Sequence, residues 1–418
     1  MGVNTMPRPT MVLPLDRSTF SRLARVDGRE AAMDVFEAMA MPDPAEEDWR
    51  YVDLDVDLDD YGLADRAGPA DEDPSVTENA LGDAMGTARI VDGHVVDIQG
   101  DGVRSLDDAT VRDGRVPADL DRFAAAHGAF GADGVVVHAG PGVHRERPVY
   151  VDVQATTSGV LSLPKVVVVA DDGADVSVVV DQRSADGVEA LVVPHIEVVA
   201  GAAARTNVTV VQAWGADTVA VAQHRMVAGR DATVGLAEAG LGGRFSRLHL
   251  TVDLMGSGAD ARVLGLYFGD EHQTLDYRYF MNHAAPHTTS EMFLKGAVAD
   301  HAKSVFTGLI RIEPEGQRTN AHQTNRNLVL SDDAEAHSVP NLEILANDVR
   351  CGHGSTVGPL DAEQRYYLMS RGLPRSRADR LQVKGFFEDV LARFPHESLR
   401  IPLRSSAMAK YERFREAS

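Results

Sequence analysis

A chain of 418 residues, 44% hydrophobic and 25% charged, can bury one large repetitive core or two to three smaller ones. Its net charge of -22, with no basic patch to offset it, excludes nucleic acid as a partner. The single cysteine, Cys351, excludes an internal disulfide and fits a reducing compartment. No apolar run approaches the roughly 20 residues that a membrane helix needs. The first 15 residues lack a secretory apolar segment, and Met6 spoils a myristoylation pattern after Gly2. The expected location is the cytoplasm, away from any membrane.

Residues 16–41 read as helix, with Phe20, Leu23, Ala24, Ala32, Val35, Phe36 and Met39 at three- and four-residue spacing, closed by Pro42-Asp43-Pro44. An acidic stretch from 53 to 73, poor in apolar residues, reads as a long or partly disordered loop. Short strands are expected at 88–90 and 94–98, and a helix at 118–126. From about Gly134 the chain changes character. Valine-rich runs recur at 135–137, 149–151, 166–169 and 176–180, separated by short turns of Gly, Ala and Asp. An alanine after such a turn leads into an alternating strand at Ala174, Ala204, Ala232, Ala261, Ala302 and Ala334, at intervals of 30, 28, 29, 41 and 32 residues. Strand-only units with a period in that range indicate a β-solenoid, since propeller blades run to about 40–45 residues.

Helices resume near residue 358. A short helix over 361–370 is closed by Gly372 and Pro374, and Ser376-Arg377-Ala378-Asp379 resembles a capping box. The helix it opens carries Leu381, Phe386, Phe387, Val390, Leu391 and Phe394 and stops at Pro395; a last helix covers 403–415. This tail either caps the end of the solenoid or docks a partner. The fold class is thus mainly β, divided into an N-terminal helical and mixed domain with the acidic loop (1–130), a solenoid core (131–358) and a C-terminal helical domain (359–418).

The stretch 347–358 holds Cys351 two positions before His353, which has glycine on both sides. On a strand this spacing puts thiol and imidazole on one face. Both suit iron, zinc or copper, but a zinc site wants three or four ligands and an iron–sulfur cluster usually takes four thiolates. The pair is therefore either structural or half of a site that a second subunit completes. Walker A, Gly-x-Ser-x-Gly and His-Glu-x-x-His patterns do not occur in the sequence, and Gly240, Gly242 and Gly243 do not form a dinucleotide fingerprint. His283 and His287 are four apart, but Pro286 argues against the helix that would aim them together, so hydrogen-bonded histidines are expected. Asn320, Gln323, Asn325 and Asn327 read as side-chain amides stacked between rungs.

Several stretches together resemble the SufD family: residues 323–331, Pro340-Asn341-Leu342-Glu343-Ile344, the 348–358 stretch, Tyr367-Leu368-Met369-Ser370-Arg371-Gly372, residues 286–290 and Trp49-Arg50-Tyr51. The resemblance runs in order along essentially the whole chain and is strongest from about 240 to 372. Arg350, Gly352, Leu345 and Asn347 depart from the family's usual Lys, Ser, Tyr and Asp, while Cys351 and His353 are intact. The resemblance implies a right-handed parallel β-helix between helical terminal domains, in a non-ATPase scaffold subunit of SUF iron–sulfur cluster assembly. It implies pairing with a SufB-type paralogue, with His353 and Cys351 forming the shared metal site where a nascent Fe–S cluster is built. It further implies a SufC-type ABC ATPase docked on the C-terminal helix that carries Phe386, Phe387, Val390, Leu391 and Phe394, and it allows a homodimer of the isolated chain. Flavin is sometimes associated with such complexes, but no residues here form a flavin fingerprint. SufB-type chains are generally longer and carry several cysteines, so one cysteine favours SufD. The alternatives are a β-helix enzyme acting on carbohydrate, against which low aromatic content and the missing export signal argue, and a metalloenzyme using His283, His287 and His353.

Overall fold

A computed structural model describes residues 10–23, 28–106, 116–131 and 133–417. Its centre is a parallel β-solenoid of about eight turns, with helices towards both termini. The helices are α1 (Arg17–Phe20), α2 (Arg29–Ala38), α3 (Val76–Leu81) and α4 (Arg122–Phe130) before it, and α5 (Ala362–Ser370), α6 (Arg375–Leu391) and α7 (Arg400–Ala417) after it. Among the described residues no helix is long and apolar enough to cross a membrane.

Two sheets form the solenoid walls. Sheet I has ten strands and ends on Arg350–Gly358; sheet II has eleven and ends on Glu335–Ile344. Along sheet I the strand starts Asp175, Arg205, Thr233, Asp260, Thr289, Asn320 and Arg350 stand in register, 27 to 31 residues apart. The corner residue two positions before each start through Asn320 has positive φ: Gly173, Ala203, Asp231, Gly258, His287 and Arg318. That left-handed corner turns the chain sharply into the next rung, and a buried alanine follows it at Ala174, Ala204, Ala232 and Ala259.

The repeat read from the sequence needs a correction. Ala261 lies inside the strand Asp260–Gly269, whose corner alanine is Ala259. Ala302 and Ala334 lead into Lys303–Ile312 and Glu335–Ile344, which belong to sheet II. The 41-residue interval comes from crossing between sheets, because corners of both sheets use a small buried residue after a polar turn.

Inside the walls, alternate residues face a common core. In the early rungs these are Val149, Val151, Val153, Val176, Val178, Val180, Ile196 and Val198, all buried. Outside sheet I, α6 lays Val383, Phe387, Val390 and Leu391 on Leu264, Leu266, Phe268 and Phe293, and α7 adds Leu403, Ala407, Met408 and Tyr411. The tail therefore packs along the side of the solenoid rather than over its end. Ser376 does not cap α6: Pro374 occupies the N-cap position, and no side chain bonds there. Phe394 falls past the helix end, where its backbone N–H bonds to the Leu391 carbonyl.

The span 16–41 divides into α1 and α2, with Asp16 accepting from the Thr19 N–H; Ala24 lies outside the described residues. The acidic stretch is tied down. Leu58 is buried, Asp71 pairs with Arg183 at 2.6 Å and Glu72 with Arg89 at 2.6 Å. Two arginines projecting from sheet I hold what composition alone reads as a free loop.

Candidate functional site

The strand Arg350–Gly358 continues the inward column of Asn320–Val329. Cys351 lies beside Ala321, His353 beside Gln323, Ser355 beside Asn325 and Val357 beside Asn327. In any earlier rung these side chains would be enclosed by the next turn. Here no described strand follows in either sheet, so positions that are interior by register open to solvent. His353 and Ser355 are exposed, and Cys351 is half-buried against the solenoid core. Burial pushes the Cys351 thiol above its ordinary pKa, which favours the protonated form. Ile344, Leu345 and Val357 are 41%, 48% and 43% exposed at the same end.

Below this rung the interior is polar. Tyr267 Oη donates to Asn327 Oδ1 at 2.6 Å, Asn327 Nδ2 donates to Asn325 Oδ1 at 2.6 Å, and Asn325 Nδ2 donates to Tyr267 Oη at 3.1 Å. Ser338 Oγ donates to Asn325 Oδ1 at 2.9 Å and receives Ser355 Oγ at 2.7 Å. A hydrogen-bonded path thus joins the exposed rung to a buried tyrosine. Gln323 donates to the Asn341 carbonyl at 3.1 Å, while its Oε1 finds no partner among the described residues. The expected stacking between rungs is not what forms: Asn325 and Asn327 bond to each other within one strand, Gln323 reaches a backbone carbonyl, and Asn320 points outward and takes no part.

Sequence reading missed Glu238. It shares inward parity with Val234 and Leu236, is 6% exposed, and its Oε2 is unpartnered among the described residues. Burial raises its pKa to about 8. The signal was present as a carboxylate at an interior parity position. Tyr277 lies across the interior from Gly240, where a Cβ would stand 1.8 Å from its hydroxyl oxygen; only glycine admits the ring there.

His283 is buried and bonded to Thr288 Oγ1 at 2.7 Å and Ser290 Oγ at 2.9 Å, and burial lowers its pKa to about 4. His287 is an exposed corner residue with φ 61°, so the two do not converge. Among the described residues no three His, Cys, Asp or Glu side chains gather as a metal site. Cys351 and His353 are accordingly two groups on one strand face, without a third candidate ligand gathered beside them among the described residues.

Of the five C-terminal residues singled out from the sequence, Phe387, Val390, Leu391 and Phe394 are buried against sheet I. Phe386 is partly exposed, with Lys295 Nζ 4.6 Å above its ring and Lys295 paired to Asp389 at 2.9 Å. These side chains anchor the tail to the solenoid. What faces outward is Tyr366, Tyr367 and Met369 of α5 and Leu381 of α6, beside a groove of about 610 Å³ between α5, α6 and Leu328.

The family model described as "SUF system FeS cluster assembly, SufBD core domain" matches residues 153–386, more than half of the chain. An iron–sulfur cluster assembly SufBD family protein of Mycobacterium tuberculosis is 37% identical over 254 residues, 59% of this chain and 63% of the relative, so the match spans just under two thirds of that protein. A SufBD family protein of Mycobacterium leprae is 33% identical over 294 residues, 68% of this chain and 74% of the relative. The iron–sulfur cluster assembly protein SufD of Bacillus subtilis is 29% identical over 292 residues, 69% of this chain and 67% of its own length.

Proposed function

This chain belongs to the SufBD family of SUF-system iron–sulfur cluster assembly proteins, and on that premise we propose that it is a SufD-type scaffold subunit without ATPase activity of its own. Its open rung receives the matching rung of a SufB-type solenoid. The observation that carries this reading is the common end of the two sheets, where Cys351 and His353 emerge from the interior column among exposed apolar side chains. Unpaired parallel edges are templates for further strands. With 63 acidic against 41 basic residues, a second copy of this chain is a poorer electrostatic match than a less acidic paralogue.

At the joint, Cys351 ligates iron as thiolate once its proton is displaced, His353 ligates or accepts a proton, and the partner supplies the remaining ligands. The nascent cluster is cargo, built there and passed on. In this reading residues 131–358 are the scaffold and 359–418 meet a SufC-type ATPase through the outward faces of α5 and α6. Phe387, Val390 and Leu391 transmit movement of the tail to sheet I, and the complex works in the cytoplasm.

The test is anaerobic co-purification of the tagged chain with SufB- and SufC-type partners, scored for bound iron and sulfide, with native chain and His353→Ala side by side. Complex retained in both, with cluster lost only in the variant, is the expected result. No retained partner would overturn the scaffold reading, and full cluster in His353→Ala would return that histidine to a structural role.

A further inference from the structure

The Trp49-Arg50-Tyr51 stretch is far from Cys351 in sequence, and nothing in the proposed joint requires it. Yet the solenoid commits two buried arginines to it. On the outer face of sheet II, Arg247 and Arg278 both bond to Asp276, at 2.5 and 3.3 Å, and all three side chains are at most 2% exposed. Arg247 Nη2 donates to the Asp48 carbonyl at 2.7 Å and lies 3.8 Å over the Trp49 ring. Arg278 donates to the Glu47 carbonyl at 3.2 Å and the Arg50 carbonyl at 3.0 Å. Burying two guanidiniums on one carboxylate is costly, and here three further donors grip the carbonyls of Glu47, Asp48 and Arg50, while Arg247 Nε has no partner among the described residues.

The grip holds Tyr51 at φ 72°, a conformation that a bulky residue rarely adopts. It delivers the ring to the edge of the molecule. The contacts advance along the solenoid axis from Arg247 in Phe245–Leu254, through Arg278 in Thr274–His283, to His337 in the terminal strand Glu335–Ile344. Tyr51 stacks on His337 with centroids 5.1 Å apart and planes 16° apart, and remains 41% exposed. A strand joining the free edge of sheet II would run about 4.8 Å beyond His337 and bring its own outward residue to the Tyr51 ring.

We infer that Tyr51 and His337 form a clamp for the partner solenoid, closing on the outer face of the first strand it adds to sheet II and fixing that strand's position. The inference rests on the edge-to-edge joint proposed above and adds to it a second contact, outside the barrel, supplied by the N-terminal segment.

Strain separates a binding role from a folding role. Glycine accepts positive φ without penalty, so Tyr51→Gly removes the ring and the strain together. The experiment measures the affinity of the full chain for its SufB-type partner and the melting temperature of the chain alone, for Tyr51→Gly, Tyr51→Phe, His337→Ala and Val357→Asp. The expected result is Tyr51→Gly and His337→Ala melting at or above the native temperature while binding about tenfold more weakly, the scale of a lost aromatic contact, with Tyr51→Phe native in both. Native affinity in Tyr51→Gly, or a lowered melting temperature that accounts for its weaker binding, would overturn the clamp. Val357→Asp tells the two readings apart. If it abolishes binding while Tyr51→Gly binds normally, the clamp fails and the joint stands; if it binds normally, the joint fails and the clamp with it.

Discussion

At the first end of the solenoid both sheets turn antiparallel. Gly86–Val91 pairs parallel with Val149–Ala155 but antiparallel with His94–Gly100, and Val135–Ala139 is closed in the same way by Val103–Ser105. The outer strand there shows Asp97 and Gln99 to solvent, with Val96 as its one exposed large apolar side chain. At the last end both sheets stay parallel, stop together, and expose Ile344, Leu345 and Val357. The interiors differ in the same sense. Valines and small residues fill the early rungs, whereas Tyr267, Gln323, Asn325, Asn327 and Ser338 occupy the late ones. An edge that changes strand direction and carries charge resists further pairing. An edge that keeps direction and apolar side chains invites it, and the polar interior there is made tolerable by the bonds that join Tyr267, Asn325, Asn327 and Ser338.

Acid should load the first half more heavily than the second. Burial holds His127 at about 3, His195 well below its ordinary value and His224 at about 4, all at or before the middle of sheet II, against two such histidines beyond it, His249 at about 3 and His283 at about 4. The unfolded chain takes up protons near pH 6.5 that the folded chain refuses, so the stability these groups allow is present above 6.5 and lost as pH falls towards 4. Hydrogen exchange at pH 5 should show the early rungs loosening before the late ones. The reverse order would break the comparison.

Truncation should separate them next. Leu250 is 1% exposed in the closed interior, so Leu250→Ala should cost about 2–5 kcal/mol by urea unfolding. Leu342 points inward by the same parity but lies in the terminal strand and is only half-buried, so Leu342→Ala should cost under about 1 kcal/mol in the isolated chain. Equal costs would mean that the last rung is already enclosed.

Glu238 works in the opposite pH direction. Its folded pKa of about 8 stands above the ordinary carboxylate value. The folded chain keeps a proton that the unfolded chain sheds, so its contribution is full below about pH 4.3 and lost as pH rises through 8. Glu238→Gln should therefore stabilise the chain at pH 8 relative to pH 5 by on the order of 3 kcal/mol, read as a flatter plot of urea midpoint against pH. An unchanged plot would mean that Glu238 is hydrated and its surroundings are less dry than the early rungs.

The solenoid was legible because alternation and a period near 30 are local consequences of rung geometry. Its phase was not, since Ala302 and Ala334 look like Ala174 although they serve the other sheet. Cys351 and His353 could be placed on one face from spacing alone. That their face is the interior column, open only because the chain stops pairing, depends on the register with Ala321 and Gln323. The aromatic residues of α6 announced a buried surface, but amphipathicity does not say against what, and Phe387 and Leu391 face this chain's own sheet. The acidic stretch misled for a related reason, because Arg89 and Arg183, distant in sequence, provide its anchors.

The smallest expected effect on the isolated chain is also the sharpest test of what the open end is for. Val357 extends the interior column beside Asn327 yet is 43% exposed, so Val357→Asp removes little buried apolar area and leaves its carboxylate in water. Urea unfolding of the isolated chain should shift by no more than about 0.5 kcal/mol, as for other surface substitutions. Once a partner strand covers the rung, the same carboxylate is enclosed beside an amide ladder with no cation to pair it, and an unpaired buried charge is strongly unfavourable. Pull-down of the SufB-type partner should then fall to background. A substitution silent in the free chain and decisive in the pair can arise only where the covering surface comes from another molecule. If Val357→Asp destabilised the free chain by several kcal/mol, the last rung would be closed by this chain itself, and the contrast between its two ends would disappear.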